Sequence, residues 1–195
     1  GAWFPAVKNV IVGPHAAFTV DRLLQEVESA RAHRREPGFA PFIHPLTGVV
    51  REQDVYDERS GLNHIASTMQ GSMSVAMAKM KRNPTGNRFL AKDVPELREW
   101  VVDTQELLQR GTSDEGWTTL IETAQGFDLG LNHGHEWPYV TSRDCLVGRA
   151  LDNAGLPLRF VGSIIGAIRT FPIRVGNTEG GYSGPCYADQ RETSW

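Results

Sequence analysis

Residues 7–14 read VKNVIVGP, a short β-branched run followed by a Gly-Pro pair. This pattern predicts a buried strand that ends in a turn. A helix is expected next, with Thr19 as its N-cap residue, because apolar side chains recur at helical spacing over Val20, Leu23, Leu24, Val27 and Ala30. Basic side chains in residues 31–35 and the Pro-Gly pair at 37–38 suit its C-terminal end. A strand that leads into an amphipathic helix is the unit of layered α/β folds, which is therefore the predicted fold class.

The middle of the chain is predicted to be mostly helical. Residues 52–59 suit a polar helix, and residues 72–80 suit another that carries its methionines on one side. Asp93 and Glu96 resemble a capping box, which marks the start of a helix. Mostly apolar residues then recur at helical spacing up to Gly111, which would end the helix; they are Leu97, Trp100, Val101, Thr104, Leu107 and Leu108. These patterns predict one long helix after Asp93.

Three further strands are predicted near the end of the chain, at residues 118–122, 162–168 and 173–175. Gly and polar residues separate them. The predicted organisation is an α/β core made of residues 1–53 and 111–195, with a small helical subdomain over residues 54–110.

The composition is that of a folded globular protein, with 40% hydrophobic and 22% charged residues among 195. A net charge of -3 with mixed signs provides no field that would attract the whole chain to nucleic acid or to an anionic membrane. No apolar run reaches the roughly 18 residues of a membrane span, and the start lacks the pattern of a signal peptide. Cys145 and Cys186 are expected to be free thiols, which indicates a reducing, cytoplasmic location.

The densest polar stretch covers residues 122–144 and follows a predicted strand. Ligands of open α/β sheets bind in loops beyond the carboxyl ends of strands. An amide, several hydroxyls and an arginine in this stretch could therefore hydrogen-bond a base and a phosphate. An ordinary polar loop is an equally weighted interpretation, because Gly-rich polar loops are common and functional loops are a minority.

Two parts of this stretch, residues 124–126 (AQG) and 138–142 (PYVTS), resemble motifs of the adenylosuccinate synthetase family. Upstream, residues 63–71 (NHIASTMQG) resemble the family's loop with paired hydroxyl residues, and Lys79 and Arg82 follow at the family's spacing. Downstream, residues 171–176 (FPIRVG) resemble a strand that ends in an arginine-valine-glycine turn. The likeness covers nearly all of the chain, and it implies the family's layered sheet with helices.

The resemblance implies a ligase that joins aspartate to the 6-position of a purine nucleotide in purine biosynthesis. A nucleoside triphosphate, GTP or ATP, would phosphorylate the purine 6-oxygen, and the aspartate amine would then displace that phosphate. Carried over by position, the substrate-binding residues would be Ser67, Thr68, Gln125, Thr141, Ser142, Val175 and Gly176. Gln125 would orient the base, and Arg82 would reach the nucleotide phosphate of the partner subunit in a homodimer.

The sequence departs from the family's usual pattern at two places. Met69-Gln70 stands where the family commonly has glycine and a basic residue, and residues 142–144 (SRD) replace a serine-serine-asparagine run. With the extra loop length around Trp137, these changes look like the phage-type members, which accept deoxyguanylate and make a 2-aminoadenine precursor. Two acceptors therefore stay open, inosinate (IMP) and deoxyguanylate (dGMP).

A GxxxxGK[ST] loop is missing from the sequence. In the family, the phosphate-binding glycine-rich loop and the catalytic aspartate and histidine come before the region that Gly1 begins. The resemblance thus implies an internal fragment that contains no catalytic residue, is inactive alone and depends on a missing N-terminal part to bind Mg2+.

Two other functions stay open as alternatives to the ligase. A non-catalytic nucleotide-binding module would follow if the natural chain started near Gly1. A metal-dependent hydrolase could use His133 and His135 beside Glu136, although alternate residues on a loop do not match the known spacings of zinc ligands.

Overall fold

The computed structural model describes residues 2–4, 6–62, 68–82, 89–134 and 137–167. Within these ranges the chain forms five α-helices and two small parallel sheets, which confirms the predicted α/β class. Among the same residues, no helix combines the length and the apolar character that crossing a membrane requires.

Two short parallel strand pairs flank the first helix. Strand β1 (Ile11–Val12) pairs with β3 (Phe42–Ile43), and β2 (Ala17–Phe18) pairs with β4 (Gly48–Val49). Helix α1 (Val20–Arg34) lies between the paired strands in sequence, as parallel pairing requires a crossover. The strand predicted over residues 7–12 is therefore real but limited to its last two residues, whereas the helix matches the prediction.

The two helices predicted in the middle of the chain are confirmed. They are α2 (Glu52–Gly61) and α3 (Ser72–Lys81). The division of the chain at residues 53/54 and 110/111 stays a prediction.

The long helix predicted after Asp93 is wrong. Val94 has an extended backbone before Pro95, and a proline disfavours the helical conformation of the residue that precedes it. The residues of the predicted helix are instead divided among a 3-10 turn at Pro95–Leu97, a parallel bridge from Val101 to Ile43, and helix α4 (Thr104–Ser113).

The cap of α4 is Asp103. Its carboxylate accepts hydrogen bonds from the backbone N–H groups of Gln105 and Glu106, each at 3.0 Å. Asp93 belongs to a separate 3-10 turn, Ala91–Asp93, so the capping-box interpretation of Asp93 and Glu96 is also wrong.

Two of the predicted late strands do not form among the described residues. Residues 118–122 and 161–167 belong to no strand, and the side chains of Leu120, Ile164 and Ile165 are 80%, 67% and 83% exposed. A β-branched run becomes a strand only where a neighbouring chain completes the hydrogen-bond ladder. The strand predicted at residues 173–175 lies outside the described residues.

Two apolar clusters form the core. The first contains Ile43, Ala91 and Leu97, each with 0% exposure, so the segment after β4 packs against the central strand β3. The second joins α4 to helix α5 (Val147–Ala154) through Leu108 and Leu151. This second cluster lies at the end of the polar loop that contains the candidate site.

Candidate nucleotide-binding site

The first candidate loop is the short segment before α3. Thr68 is exposed there, and the Gln70 side-chain amide donates a hydrogen bond to the Thr68 carbonyl at 3.0 Å. Met69 adopts φ 52°, a left-handed conformation that few non-glycine residues take. The predicted neighbour Ser67 lies outside the described residues. The loop therefore presents the Thr68 side chain on a locally fixed backbone.

Gly71 brings this loop close to helix α2. Its φ is +79°, and a Cβ atom at this position would lie 2.5 Å from Val50 Cγ1 and 3.2 Å from the backbone nitrogen of Val55. A left-handed conformation combined with so close an approach requires glycine. Gly71 thus fixes where the Thr68 loop meets α2.

The second candidate loop begins at Gln125. This residue is exposed and adopts φ 83°. A 3-10 turn, Phe127–Leu129, follows it. The chain returns beside this turn, because Thr141 donates its N–H to the Leu129 carbonyl at 2.7 Å. The structure therefore places Gln125 and Thr141, two of the predicted site residues, in one folded loop.

Asp144 closes the second loop. Its carboxylate accepts hydrogen bonds from the backbone N–H of Asn132 at 3.0 Å and from the Asn132 side-chain amide at 2.8 Å. His133 Nδ1 lies 3.5 Å from Asp144 Oδ1, and the imidazole ring packs against Phe127 with 4.7 Å between ring centroids. These contacts keep His133 inside the loop.

The metal site considered for His133 stays a prediction, because its other residues, His135 and Glu136, lie outside the described part of the chain. The Nε2 atom of His133 is buried without a hydrogen-bond partner among the described residues. In the described part of the chain, no group of three or more His, Cys, Asp or Glu side chains could hold a metal ion. The contacts of His133 with Phe127 and Asp144 indicate a packing role.

The Lys79 side chain extends from α3 to the carbonyl of Pro14, the residue before His15. Lys79 Nζ donates to the backbone carbonyls of Pro14 and Leu46, each at 2.8 Å, and desolvation by burial lowers the pKa of this ammonium group. Desolvation by burial is also the largest cause of the lowered pKa of His15; the positive charges of Arg149, Lys79 and Arg143 lower it further, whereas Asp152 raises it. Side chains from α3 and from the second loop are thus within electrostatic reach of the same imidazole.

The remaining predicted site residues lie apart from these contacts or outside the described ranges. Arg82 follows α3, is exposed, and adopts φ 51°. Ser142 is exposed next to Thr141. Val175 and Gly176 lie outside the described residues. Sequence reasoning did not identify two sets of contacts that join distant parts of the chain: those of Glu58 with residues 71–74, and those of Asp144 with Asn132.

A protein-family comparison matches residues 49–183 to the adenylosuccinate synthetase model. The N6-succino-2-amino-2'-deoxyadenylate synthase of Vibrio phage phiVC8 is 36% identical over an alignment of 196 positions, gaps included, that covers 98% of this chain and 55% of that protein. The synthase of the same name from Cyanophage S-2L is 32% identical and covers 98% of this chain and 53% of that protein. The adenylosuccinate synthetase of Thermococcus onnurineus is 35% identical over 102 residues, which are 52% of this chain and 29% of that protein.

Two solved structures of longer enzymes are similar to this chain. The Cyanophage S-2L succinoaminodeoxyadenylate synthetase, bound to dGMP and to dATP as an energy donor, matches 95% of this chain and 53% of its own, with a TM-score of 0.75 and 32% identity. The fully ligated adenylosuccinate synthetase of Plasmodium falciparum matches with a TM-score of 0.69 over 88% of this chain and 50% of its own; at 18% identity it shows the fold alone. This chain spans about half the length of the curated phage relatives it matches. Because the family model covers more than half of the chain, this protein belongs to the adenylosuccinate synthetase family.

Proposed function

We propose that this chain is the nucleotide-acceptor part of a ligase that forms a C–N bond between aspartate and the 6-position of a purine nucleoside monophosphate. In this proposal, the full-length protein is this chain together with the further length that its relatives carry. The chain supplies the groups that hold the monophosphate, and it contributes no catalytic acid or base. The reaction belongs to purine nucleotide biosynthesis in the cytoplasm.

The conformation of Gln125 is the observation that carries this proposal. A non-glycine residue at φ 83° has a backbone that glycine would adopt at lower cost. Such outliers cluster at ligand sites, where the side chain is needed. The exposed amide of Gln125 opens the same loop that holds Thr141, so one loop offers an amide for a base and a hydroxyl for a phosphate.

We propose deoxyguanylate as the acceptor, with IMP as the alternative. Four phage synthases named for the 2-aminodeoxyadenylate product each align with 98% of this chain. Four adenylosuccinate synthetases, all from archaea, align with between 44% and 52% of it. Among the solved structures, the Cyanophage S-2L relative contains dGMP, with dATP as energy donor. This pattern supports dGMP as acceptor and an adenine nucleotide, in preference to GTP, as phosphoryl donor.

The roles of the chain's residues follow from their chemistry. Gln125 orients the purine through hydrogen bonds, because a neutral amide donates and accepts but has no proton equilibrium near neutral pH. The hydroxyl groups of Thr68 and Thr141 donate hydrogen bonds to the phosphate. The pocket around the phosphate and the ribose is completed by Ser67, Ser142, Val175 and Gly176. Phosphoryl transfer to the 6-oxygen depends mostly on such positioning and on charge stabilisation.

Mg2+ stabilises charge on the transferred phosphoryl group in reactions of this kind. The described residues offer no cluster of ligands for it. We therefore propose that Mg2+ is bound by another part of the full-length protein.

The experiment is a steady-state assay of the full-length protein with each monophosphate, each triphosphate and aspartate. Gln125→Ala and Thr141→Ala each remove one directed hydrogen bond, so each is expected to lower kcat/KM for the monophosphate by about tenfold or more. Gln25→Ala is the matched control, because Gln25 is exposed on α1. Unchanged kinetics in both site variants would contradict the assigned roles. Binding of a monophosphate without turnover would favour a non-catalytic nucleotide-binding module.

We also propose a homodimer in which Arg82 binds the nucleotide phosphate in the partner's site. The exposure of Arg82 just after α3 leaves its guanidinium available for an intermolecular contact. Protomers carrying Arg82→Ala, mixed with Gln125→Ala protomers, should recover activity because one site of each mixed dimer is intact. Recovery no greater than the sum of the separate variants would argue against a shared site.

A further inference from the structure

Glu58 is the largest fully buried carboxylate side chain among the residues that the structure describes, with only 1% of the residue exposed. It extends from α2 to the start of α3. Oε2 accepts the N–H of Gly71 at 2.8 Å, and Oε1 accepts the N–H groups of Met73 at 2.5 Å and Ser74 at 3.2 Å. One carboxylate therefore occupies three backbone donors at the N-terminus of α3.

Helix α3 needs this distant partner because it has no local cap. Its N-cap residue is Gly71, which has no side chain to accept the free N–H groups of the first turn. Glu58 supplies the acceptor from 13 to 16 residues upstream. Hydrogen bonds to an ionised carboxylate are stronger than neutral ones, and the positive end of the helix dipole favours a negative charge here.

The Glu58 contacts change what the N-terminus of α3 can bind. Free N–H groups at a helix N-terminus form a ready site for phosphate. Here those of Met73 and Ser74 already bind a buried negative charge, which would also repel an anion. We therefore expect a nucleotide phosphate near this loop to be bound by side-chain hydroxyls such as that of the exposed Thr68, and not by the helix terminus.

We propose that Glu58 is a positioning residue for the monophosphate site, acting through the loop of residues 68–71. This inference rests on the proposed role of Thr68 in binding the nucleotide phosphate. Glu58 fixes Gly71 from one side, while the close approach of Gly71 to Val50 fixes it from the other. These two contacts fix the backbone of Gly71 relative to α2, and thereby the position of the loop that carries Thr68.

Glu58→Gln in the full-length protein tests the inference. The glutamine amide retains one acceptor oxygen, but its NH2 group faces backbone donors, so at least one of the three hydrogen bonds is lost. The KM for the monophosphate is expected to rise by about tenfold, while the KM values for aspartate and triphosphate change by less than about twofold. Glu52→Gln is the matched control, because it makes the same charge change at an exposed position in the first turn of α2. Equal changes in all three KM values, or none, would overturn the inference.

A double-mutant cycle with Thr68→Ala separates this inference from the proposed function. If Glu58 acts through Thr68, Glu58→Gln should raise the monophosphate KM by less than about twofold once Thr68 is alanine. Full additivity of the two changes would show that Glu58 acts elsewhere. A Thr68→Ala variant with normal KM would instead contradict the proposed role of Thr68, whatever Glu58 does.

Amide hydrogen exchange of the unmodified protein provides a measurement that does not depend on a variant that folds. The N–H groups of Gly71, Met73 and Ser74 should already be protected without monophosphate, because Glu58 binds them in the free protein. Protection that appears only when monophosphate is added would mean that the phosphate binds the helix terminus, and it would overturn the inference.

Discussion

The carboxylate of Asp144 binds Asn132 twice, through the backbone N–H at 3.0 Å and through the side-chain amide at 2.8 Å. The side-chain hydrogen bond is the largest cause of a lowered pKa for Asp144, followed by the backbone hydrogen bond. A lowered pKa in the folded state means that the contribution of this carboxylate is present above its ordinary pKa and is lost as the pH falls through the lower folded value. At neutral pH the contact therefore closes the loop that contains Thr141.

Asp144→Asn should loosen this loop and weaken monophosphate binding. The asparagine side chain has one acceptor oxygen where the carboxylate has two, so it cannot accept both donors of Asn132 equally well. We expect the dissociation constant of the monophosphate to rise by about threefold to tenfold, measured by isothermal titration calorimetry. Asp114→Asn is the control, because Asp114 is exposed after α4. An equal effect in both variants would show that the charge, and not the contact with Asn132, matters.

Gln125→Gly should stabilise the fold while weakening binding. Glycine adopts φ 83° without the steric cost that a Cβ atom imposes, so the free energy of unfolding should rise by about 1 kcal/mol. The amide that we propose for orienting the base is lost at the same time. The paired control is Arg35→Gly, at the left-handed C-cap of α1 with φ 57°. It should give a similar gain in stability, by urea unfolding, without a change in monophosphate affinity.

Stabilisation by Gln125→Gly with unchanged affinity would mean that the strained conformation of Gln125 serves no binding role. Loss of stability would mean that the side chain itself holds the loop. Either result would contradict the interpretation of the Gln125 conformation on which the proposed function depends.

Local sequence patterns predicted correctly those elements whose boundaries depend on residues close together in sequence. Helix α1 begins after its N-cap residue Thr19 and ends at Arg34, because its apolar spacing and its terminal residues point to the same boundaries. The long helix predicted after Asp93 shows the opposite case. The pair Val94-Pro95 carried a local signal against it, but the pairing of Val101 with Ile43 depends on a strand far away in sequence.

The same distinction holds for the candidate site. Thr68, Gln125 and Thr141 were predicted from short motifs that resemble a family, and two of them fall in one folded loop. Glu58 was not predicted, because its three partners lie on another helix. The sequence gives no signal for its burial: Asp54 and Glu58 are neighbours on one face of α2, but only the structure shows that this face is buried.

The stability of the fold should decrease as the pH falls below about 6.5. His44 is 7% exposed, and its Nδ1 accepts the N–H of Leu46 at 3.0 Å, so this nitrogen is unprotonated in the fold. Burial is the largest cause of the lowered pKa of His44. Because the unfolded chain then binds more protons than the folded chain, acid favours unfolding.

His44→Asn should flatten this pH dependence, because the asparagine oxygen can take the place of Nδ1 without titrating near neutral pH. The measurement is the free energy of unfolding between pH 5 and pH 8. His33→Asn is the control, at an exposed histidine of α1. His15, whose pKa is also lowered, should leave a residual slope. An unchanged slope in His44→Asn would show that His44 does not carry the acid sensitivity.

Arg34 holds the start of the chain against α1, and its removal should cost the fold more than any surface charge. Its guanidinium side chain is 2% exposed and donates to the carbonyls of Ala2, Phe4 and Val7 at 3.1, 2.8 and 3.1 Å. Arg34→Met keeps the length of the side chain but leaves these part-buried carbonyls without their donor, and it also removes the ion pair with Glu36. We expect the free energy of unfolding to fall by about 2–4 kcal/mol, and hydrogen exchange to increase at residues 6–8.

Arg22→Met is the control, because it breaks only an exposed pair with Glu26. It should change the free energy of unfolding by less than about 1 kcal/mol. Equal losses in the two variants would mean that the segment before β1 is held by its apolar contacts and not by Arg34.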